Sequence, residues 1–151
     1  DGEVRWNGTE IGALGDEYRQ ELIYLGHLAG LKDELSGLEN LYIACALDGI
    51  RVSKDRILTA LQRMGLDGYE DLPAKVLSAG QKRRVALARL LLSDARIWIL
   101  DEPFTALDVA AVEELSAIFS GHLSNSGMLV LTTHQTVAID AATVKQIKLG
   151  S

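Results

Sequence analysis

Leu77-Ser78-Ala79-Gly80-Gln81, running directly into Lys82-Arg83-Arg84-Val85-Ala86-Leu87-Ala88-Arg89-Leu90-Leu91-Leu92, decides how this chain is read. Ser78 stands where a helix N-cap belongs, Gly80 lets a backbone come close to a ligand, and apolar residues follow at helical spacing. The spacing predicts a helix whose N-terminus faces outward. Its unpaired N–H groups and positive dipole end suit a phosphate. Alone, the pentapeptide says little, because many helices begin with serine and serve no ligand.

The next segments add to it. Ile97-Trp98-Ile99-Leu100 is a short apolar run that ends in Asp101-Glu102-Pro103. It reads as a buried parallel strand delivering two carboxylates at its C-terminal tip, the edge where open parallel sheets gather ligands. Phe104-Thr105-Ala106-Leu107-Asp108 makes a turn with a further carboxylate, and a second apolar strand, Met128 to Thr133, ends in His134. In this order and spacing the segments resemble the nucleotide-binding subunit of an ABC transporter. Leu77 to Gln81 matches the signature motif, Ile97 to Glu102 the Walker B strand, Ala106-Leu107-Asp108 the D-loop and His134 the switch histidine.

The resemblance implies a P-loop NTPase-like α/β fold, a mainly parallel sheet with a helical subdomain. Residues 1–25 and 93–151 would belong to the α/β core and residues 26–92 to the helical subdomain. It implies ATP as substrate and Mg²⁺ as cofactor, with Asp101 holding the metal through water. Glu102 would act as general base or polariser of the attacking water, and His134 would donate to the γ-phosphate. Ser78, Ala79, Gly80, Gln81 and Asp108 would act in trans, at ATP held by a second copy in a homodimer. Such closure depends on the γ-phosphate and can drive a membrane partner.

Composition is consistent with this. The 151 residues are enough for a single domain with a real core, and 48% hydrophobic with 24% charged residues is an ordinary globular balance. A net charge of −6 argues against a general nucleic-acid or anionic-membrane binder. Lys82, Arg83 and Arg84, the one basic cluster, read as a solvated face. Cys45 is alone, which excludes an internal disulfide, and in its apolar setting it reads as a small core residue. No apolar run approaches a membrane span, so membrane association is expected through a partner.

Taken in order, Gly2 to Gly8 alternates and ends in Asn7-Gly8, a hairpin signal. No segment fits the Gly-rich loop ending in Gly-Lys-Ser/Thr that cradles phosphates in P-loop ATPases. The family places that loop just upstream of such a strand, so the resemblance implies an N-terminally truncated piece with a gap or an exposed edge in its sheet and weak or absent ATPase activity of its own. Asp16 to Gln20 is polar, and Glu21 to Leu25 reads as a short strand. Where the family carries a glutamine, this chain has His27 or Leu28, and an ordinary loop histidine is the simpler reading of His27. A helix follows with Leu35, Leu38, Leu41 and Tyr42 on one face, Ser36 and Glu39 forming a capping box. A second runs from Arg56 to Met64 behind Ser53, with Gly65 as its stop. Val109 to Leu123 is amphipathic with Val112, Leu115, Ile118 and Phe119 inward, residues 136–142 read as a short helix, and residues 144–149 alternate as an edge strand.

A narrower resemblance covers nearly the whole chain. Gly26-His27, the Ala79 variant of the signature, Arg83 to Leu90, Trp98 to Asp108 and Thr132-Thr133-His134-Gln135 are similar to the ATPase subunits of bacterial haem exporters in cytochrome c maturation. This implies a peripheral subunit on the cytoplasmic face of the inner membrane, working with integral membrane subunits. No residue pattern here binds haem, and His27, His122 and His134 are explained without it. Two other functions compete: the energy-coupling subunit of a different ABC exporter, and a soluble ABC ATPase of DNA repair or chromosome structure, which would carry long coiled coils or basic surfaces.

Overall fold

The computed structural model describes residues 2–134 together with Ile139 and Lys145. The helix and edge strand expected over 136–142 and 144–149 therefore fall almost wholly outside the described residues. At the N-terminus Asn7 and Gly8 both take positive φ, 50° and 83°. That is the twist a two-residue hairpin requires, and β1 (Arg5–Trp6) pairs antiparallel with β2 (Thr9–Glu10). Two short helices follow, α1 (Ile11–Leu14) and α2 (Asp16–Gln20). The sequence reads 16–20 only as polar, yet Asp16 and Glu17 in the first turn complement the helix dipole.

β3 (Leu22–Leu25) enters the sheet, and a loop leads to α3 (Gly37–Leu47). The expected capping box is present: Ser36 Oγ accepts from the Glu39 amide at 3.2 Å, and Glu39 Oε2 accepts from the Ser36 amide at 2.8 Å. Leu41 and Cys45 face the core, Cys45 with no exposure at all. Tyr42, expected beside Leu41, is instead 56% exposed. The buried face is rotated toward Gly37 and Asn40 because Asn40 must reach the preceding loop. Its Oδ1 accepts from the Lys32 amide at 2.7 Å, and its Nδ2 donates to the carbonyls of Lys32, Leu35 and Ser36.

Ser53 caps α4 (Lys54–Arg63), which buries Ile57 and Leu61 and stops where Gly65 turns at φ 70°. Residues 70–75 then run beside 33–38, with the Ala74 amide donating to Leu35 O at 2.8 Å and the Lys75 amide to Asp33 O at 2.9 Å. α5 (Ala79–Ala88) starts at the expected cap, Ser78, and tightens into a 3-10 turn over Arg89–Leu91. It packs on α3 and α4.

β4 (Ile97–Asp101), α6 (Val109–Ser124) and β5 (Met128–Thr132) complete the described chain. The sheet order is β3-β4-β5, all parallel, with Leu25 opposite Leu100 and Asp101 opposite Thr132. Leu115, Ile118 and Phe119 of α6 are buried as expected, and Phe119 meets Trp98 and Phe104 edge to face. His122 lies flat on Trp98, centroids 3.7 Å apart, near the start of β4 and away from Asp101. Gly127 leaves room for that ring, since a Cβ there would fall 2.3 Å from His122 Nε2. Among the described residues β5 has only β4 as a strand neighbour, and its Met128 and Val130 are about half exposed.

Candidate functional site

Parallel strands expose the carbonyl ends of their last residues together, so β3, β4 and β5 finish at one rim. There β4 delivers Asp101 and, immediately after it, Glu102. Glu102 takes φ 48°, a left-handed conformation that costs a residue with a Cβ about 1–2 kcal/mol. Neighbours hold it there. Its amide donates to Thr132 O at 3.2 Å and to Thr132 Oγ1 at 3.0 Å, while the Thr132 hydroxyl donates to Asp101 Oδ1 at 2.6 Å. One threonine on the neighbouring strand thus orients both acidic residues.

Two residues past β5, His134 brings Nε2 to 3.3 Å from Glu102 Oε1. The imidazole is 95% exposed and the Glu102 side chain 19%, so the pair presents its open side at the rim. The structure therefore brings Asp101, Glu102 and His134 together, as their order in the sequence suggests. The donors fit a magnesium ion held chiefly by water and phosphate: with Oδ1 occupied by Thr132, Asp101 offers its second carboxylate oxygen, and Mg²⁺ uses few protein ligands. No cluster of three or more His, Cys, Asp or Glu able to hold a metal occurs among the described residues.

The helix α5 sits beside this rim. Ser78 Oγ accepts from the Gln81 amide at 3.2 Å, and Gln81 Oε1 accepts from the Ser78 amide at 2.9 Å, a second capping box. Capping thus uses the two side-chain acceptors and leaves donors: the Ser78 O–H, the Gln81 NH₂ and the first helical amides, those of Ala79 and Gly80. Such a set of donors has the chemistry to meet an anion. Gly80 has a further constraint, because a Cβ there would lie 2.5 Å from the carbonyl oxygen of Ala106. The close approach that glycine permits is thus to the chain's own 104–108 turn. Asp108 caps α6 through the Ala111 amide at 2.9 Å and pairs with Arg84. The Ala111 amide first, and then Arg84, hold its carboxyl below the usual range.

The basic cluster departs from expectation. Lys82 pairs with Asp33 at 2.7 Å, but Arg83 is no solvated residue: it is 5% exposed. Its Nη1 donates to the carbonyls of Gly26 (2.7 Å) and His27 (3.3 Å), its Nη2 to those of Asp101 (2.7 Å) and Glu102 (3.0 Å), and its Nε reaches Pro103 O at 3.5 Å. Burial pulls its pKa down, and the charges of Asp101 and Glu102 oppose that shift. His27 is exposed and joins the site through its carbonyl, while Leu28 is 83% exposed. Arg83 and Thr132 fall within segments that the resemblance covers, but their roles escape a sequence reading because each depends on contacts with residues distant in the chain.

Comparison with known proteins gives a consistent result. The family model described as ABC transporter matches residues 1–105. A cytochrome c biogenesis ATP-binding export protein CcmA from Nitrosomonas europaea is 53% identical over 150 residues, covering 99% of this chain and 70% of that protein. Its namesake from Dechloromonas aromatica is 55% identical over 149 residues, covering 99% and 73%. Among solved structures, a putative ABC transporter ATP-binding protein from Pyrococcus furiosus superposes with a TM-score of 0.77 at 26% identity, over 93% of this chain and 68% of that one. The ATP-binding cassette MJ0796, solved as a dimer bound to ADP and phosphate, shares the fold with a TM-score of 0.75 at 24% identity, over 89% and 63%.

Proposed function

This chain belongs to the ABC transporter family, and within it to the cytochrome c biogenesis ATP-binding export proteins; from that premise we propose that it is the energy-supplying ATPase subunit of a haem exporter, or of haem-chaperone release, in cytochrome c maturation. The observation that carries the chemistry is the triad of Asp101, Glu102 and His134 at the ends of two adjacent parallel strands, with Glu102 Oε1 and His134 Nε2 3.3 Å apart.

In this reading Asp101 would hold Mg²⁺ through water, and the metal would supply neutralisation of charge on the transferring phosphate. Glu102 accepts a proton from the attacking water, its carboxylate held ready by a backbone pinned at both its N–H and its C=O. His134 donates to the γ-phosphate and relays its presence to Glu102. The donor set of Ser78, Ala79, Gly80 and Gln81 binds the γ-phosphate of ATP held by a second copy, and Asp108 couples the two sites. The chain works as a peripheral subunit at the cytoplasmic face of the inner membrane, docked on integral membrane partners, and no helix among the described residues is long and apolar enough to cross a membrane itself. Residues 1–151, which contain no phosphate-cradling Gly-Lys-Ser/Thr loop, should show weak or absent ATPase activity by themselves.

Magnesium-dependent ATPase of the complete gene product with its membrane partners tests this. Glu102→Gln should lower turnover at least about 10²-fold while ATP still binds. Unchanged turnover removes Glu102 from the chemistry. Sustained hydrolysis by residues 1–151 that disappears in Glu102→Gln refutes the claim that this stretch is inactive alone.

A further inference from the structure

A buried guanidinium needs partners for its N–H groups, and the partners Arg83 finds are unusual. All are main-chain carbonyls, on two loops distant in sequence: Gly26 and His27 just beyond β3, and Asp101, Glu102 and Pro103 at the end of β4. The two strands are neighbours in register, so their ends sit side by side and one planar fork spans both. Arg83 itself stands on α5, two residues past Gln81 of the capping box. Three parts of the site thereby meet in one side chain.

We infer that Arg83 is a positioning residue for ATP hydrolysis: its fork locks the Gly26–His27 turn, the start of α5 and the Asp101–Glu102 corner into one unit, so that a displacement of the turn is carried to the Glu102 carboxylate. The inference rests on the function proposed above. Arg83 bonds the Glu102 carbonyl while Thr132 bonds its amide, which fixes the residue on both sides in its left-handed conformation. Its bonds run to backbone oxygens and not to the carboxylates, so it acts through Glu102 and not on the substrate.

The test uses the complete gene product with its membrane partners and compares Arg83→Lys, Arg83→Gln and Glu102→Gln. An ammonium is a point donor that cannot span these five carbonyls, so Arg83→Lys should lower kcat about tenfold and Arg83→Gln about 10²-fold, the range expected when a catalytic group is misplaced by about an ångström. The Kd for a fluorescent ATP analogue should stay within about twofold, with full binding stoichiometry. A merely structural role would instead reduce the number of binding sites and leave kcat per site unchanged, and that result overturns the inference. Turnover surviving in Glu102→Gln overturns both this inference and the proposed chemistry, whereas a dead Glu102→Gln beside fully active Arg83 variants overturns this inference alone. Should neither Arg83 variant fold, hydrogen exchange on the unaltered protein decides: MgATP should change protection in residues 26–28 and 104–105 together, and a change in one segment only refutes the coupling.

Discussion

Gly80→Ala is the sharpest test of how the signature helix meets the 104–108 turn. The new Cβ would fall 2.5 Å from Ala106 O, about 0.9 Å inside the 3.4 Å at which ordinary contact begins. The obstacle is backbone, and that backbone resists, because Ala106 is held at φ 63° and Asp108 just beyond it is committed to capping α6. Overpacking of this kind costs about 1–3 kcal/mol. Alanine returns about 0.4–1 kcal/mol by restricting the unfolded chain, so the net loss should be about 1–2 kcal/mol. In urea the midpoint should fall with m unchanged. A displacement of that size at a phosphate-binding end should also lower ATPase turnover of the complete gene product by about 10–10²-fold. Combining it with Ala106→Gly, which frees the resisting backbone, should recover part of both losses and give a coupling energy above about 0.5 kcal/mol. A urea midpoint at or above the unaltered protein's would refute the argument, since it would mean that the turn yields without cost.

Other expectations are simpler to check. Asn40→Asp removes the two N–H groups that serve three carbonyls and sets a carboxylate against them, so it should destabilise by about 3 kcal/mol or more in chemical denaturation, while an exposed neighbour such as Tyr42→Gln should change little. Burial holds the His122 pKa below that of free imidazole, so the folded state binds fewer protons than the unfolded one between the two values. Stability should therefore be complete above about pH 6.5 and fall as the pH drops toward the depressed value, and His122→Gln should flatten that slope in pH-dependent melts.

Much of this was legible in residue order. Asn7-Gly8, the caps at Ser36, Ser53 and Ser78, the stop at Gly65 and the apolar faces of α4 and α6 are local signals that local physics obeys. Asp101, Glu102 and His134 were legible too, because a parallel sheet brings strand ends together wherever the intervening chain wanders. What failed was non-local. Lys82-Arg83-Arg84 looks like a wet face unless one knows that carbonyls 56 and 57 residues upstream and about 20 downstream converge on the middle residue. Tyr42 was misplaced for a similar reason, since Asn40 and its loop set the rotation of α3 in place of apolar spacing. Thr132 stands out only as the lead-in to His134; its role in holding Asp101 and Glu102 exists because β5 lies opposite Asp101.

The left-handed backbone at Glu102 sets stability and function at odds in this chain. Glycine would occupy that conformation without penalty, and asparagine at less cost than glutamate, so the fold's own optimum at position 102 is a residue with no carboxylate to offer. Selection for thermal robustness alone would drift toward such residues and lose the group the proposed hydrolysis needs. Any stabilised descendant of this protein should be built around position 102, with the gains taken from the helices and their caps instead.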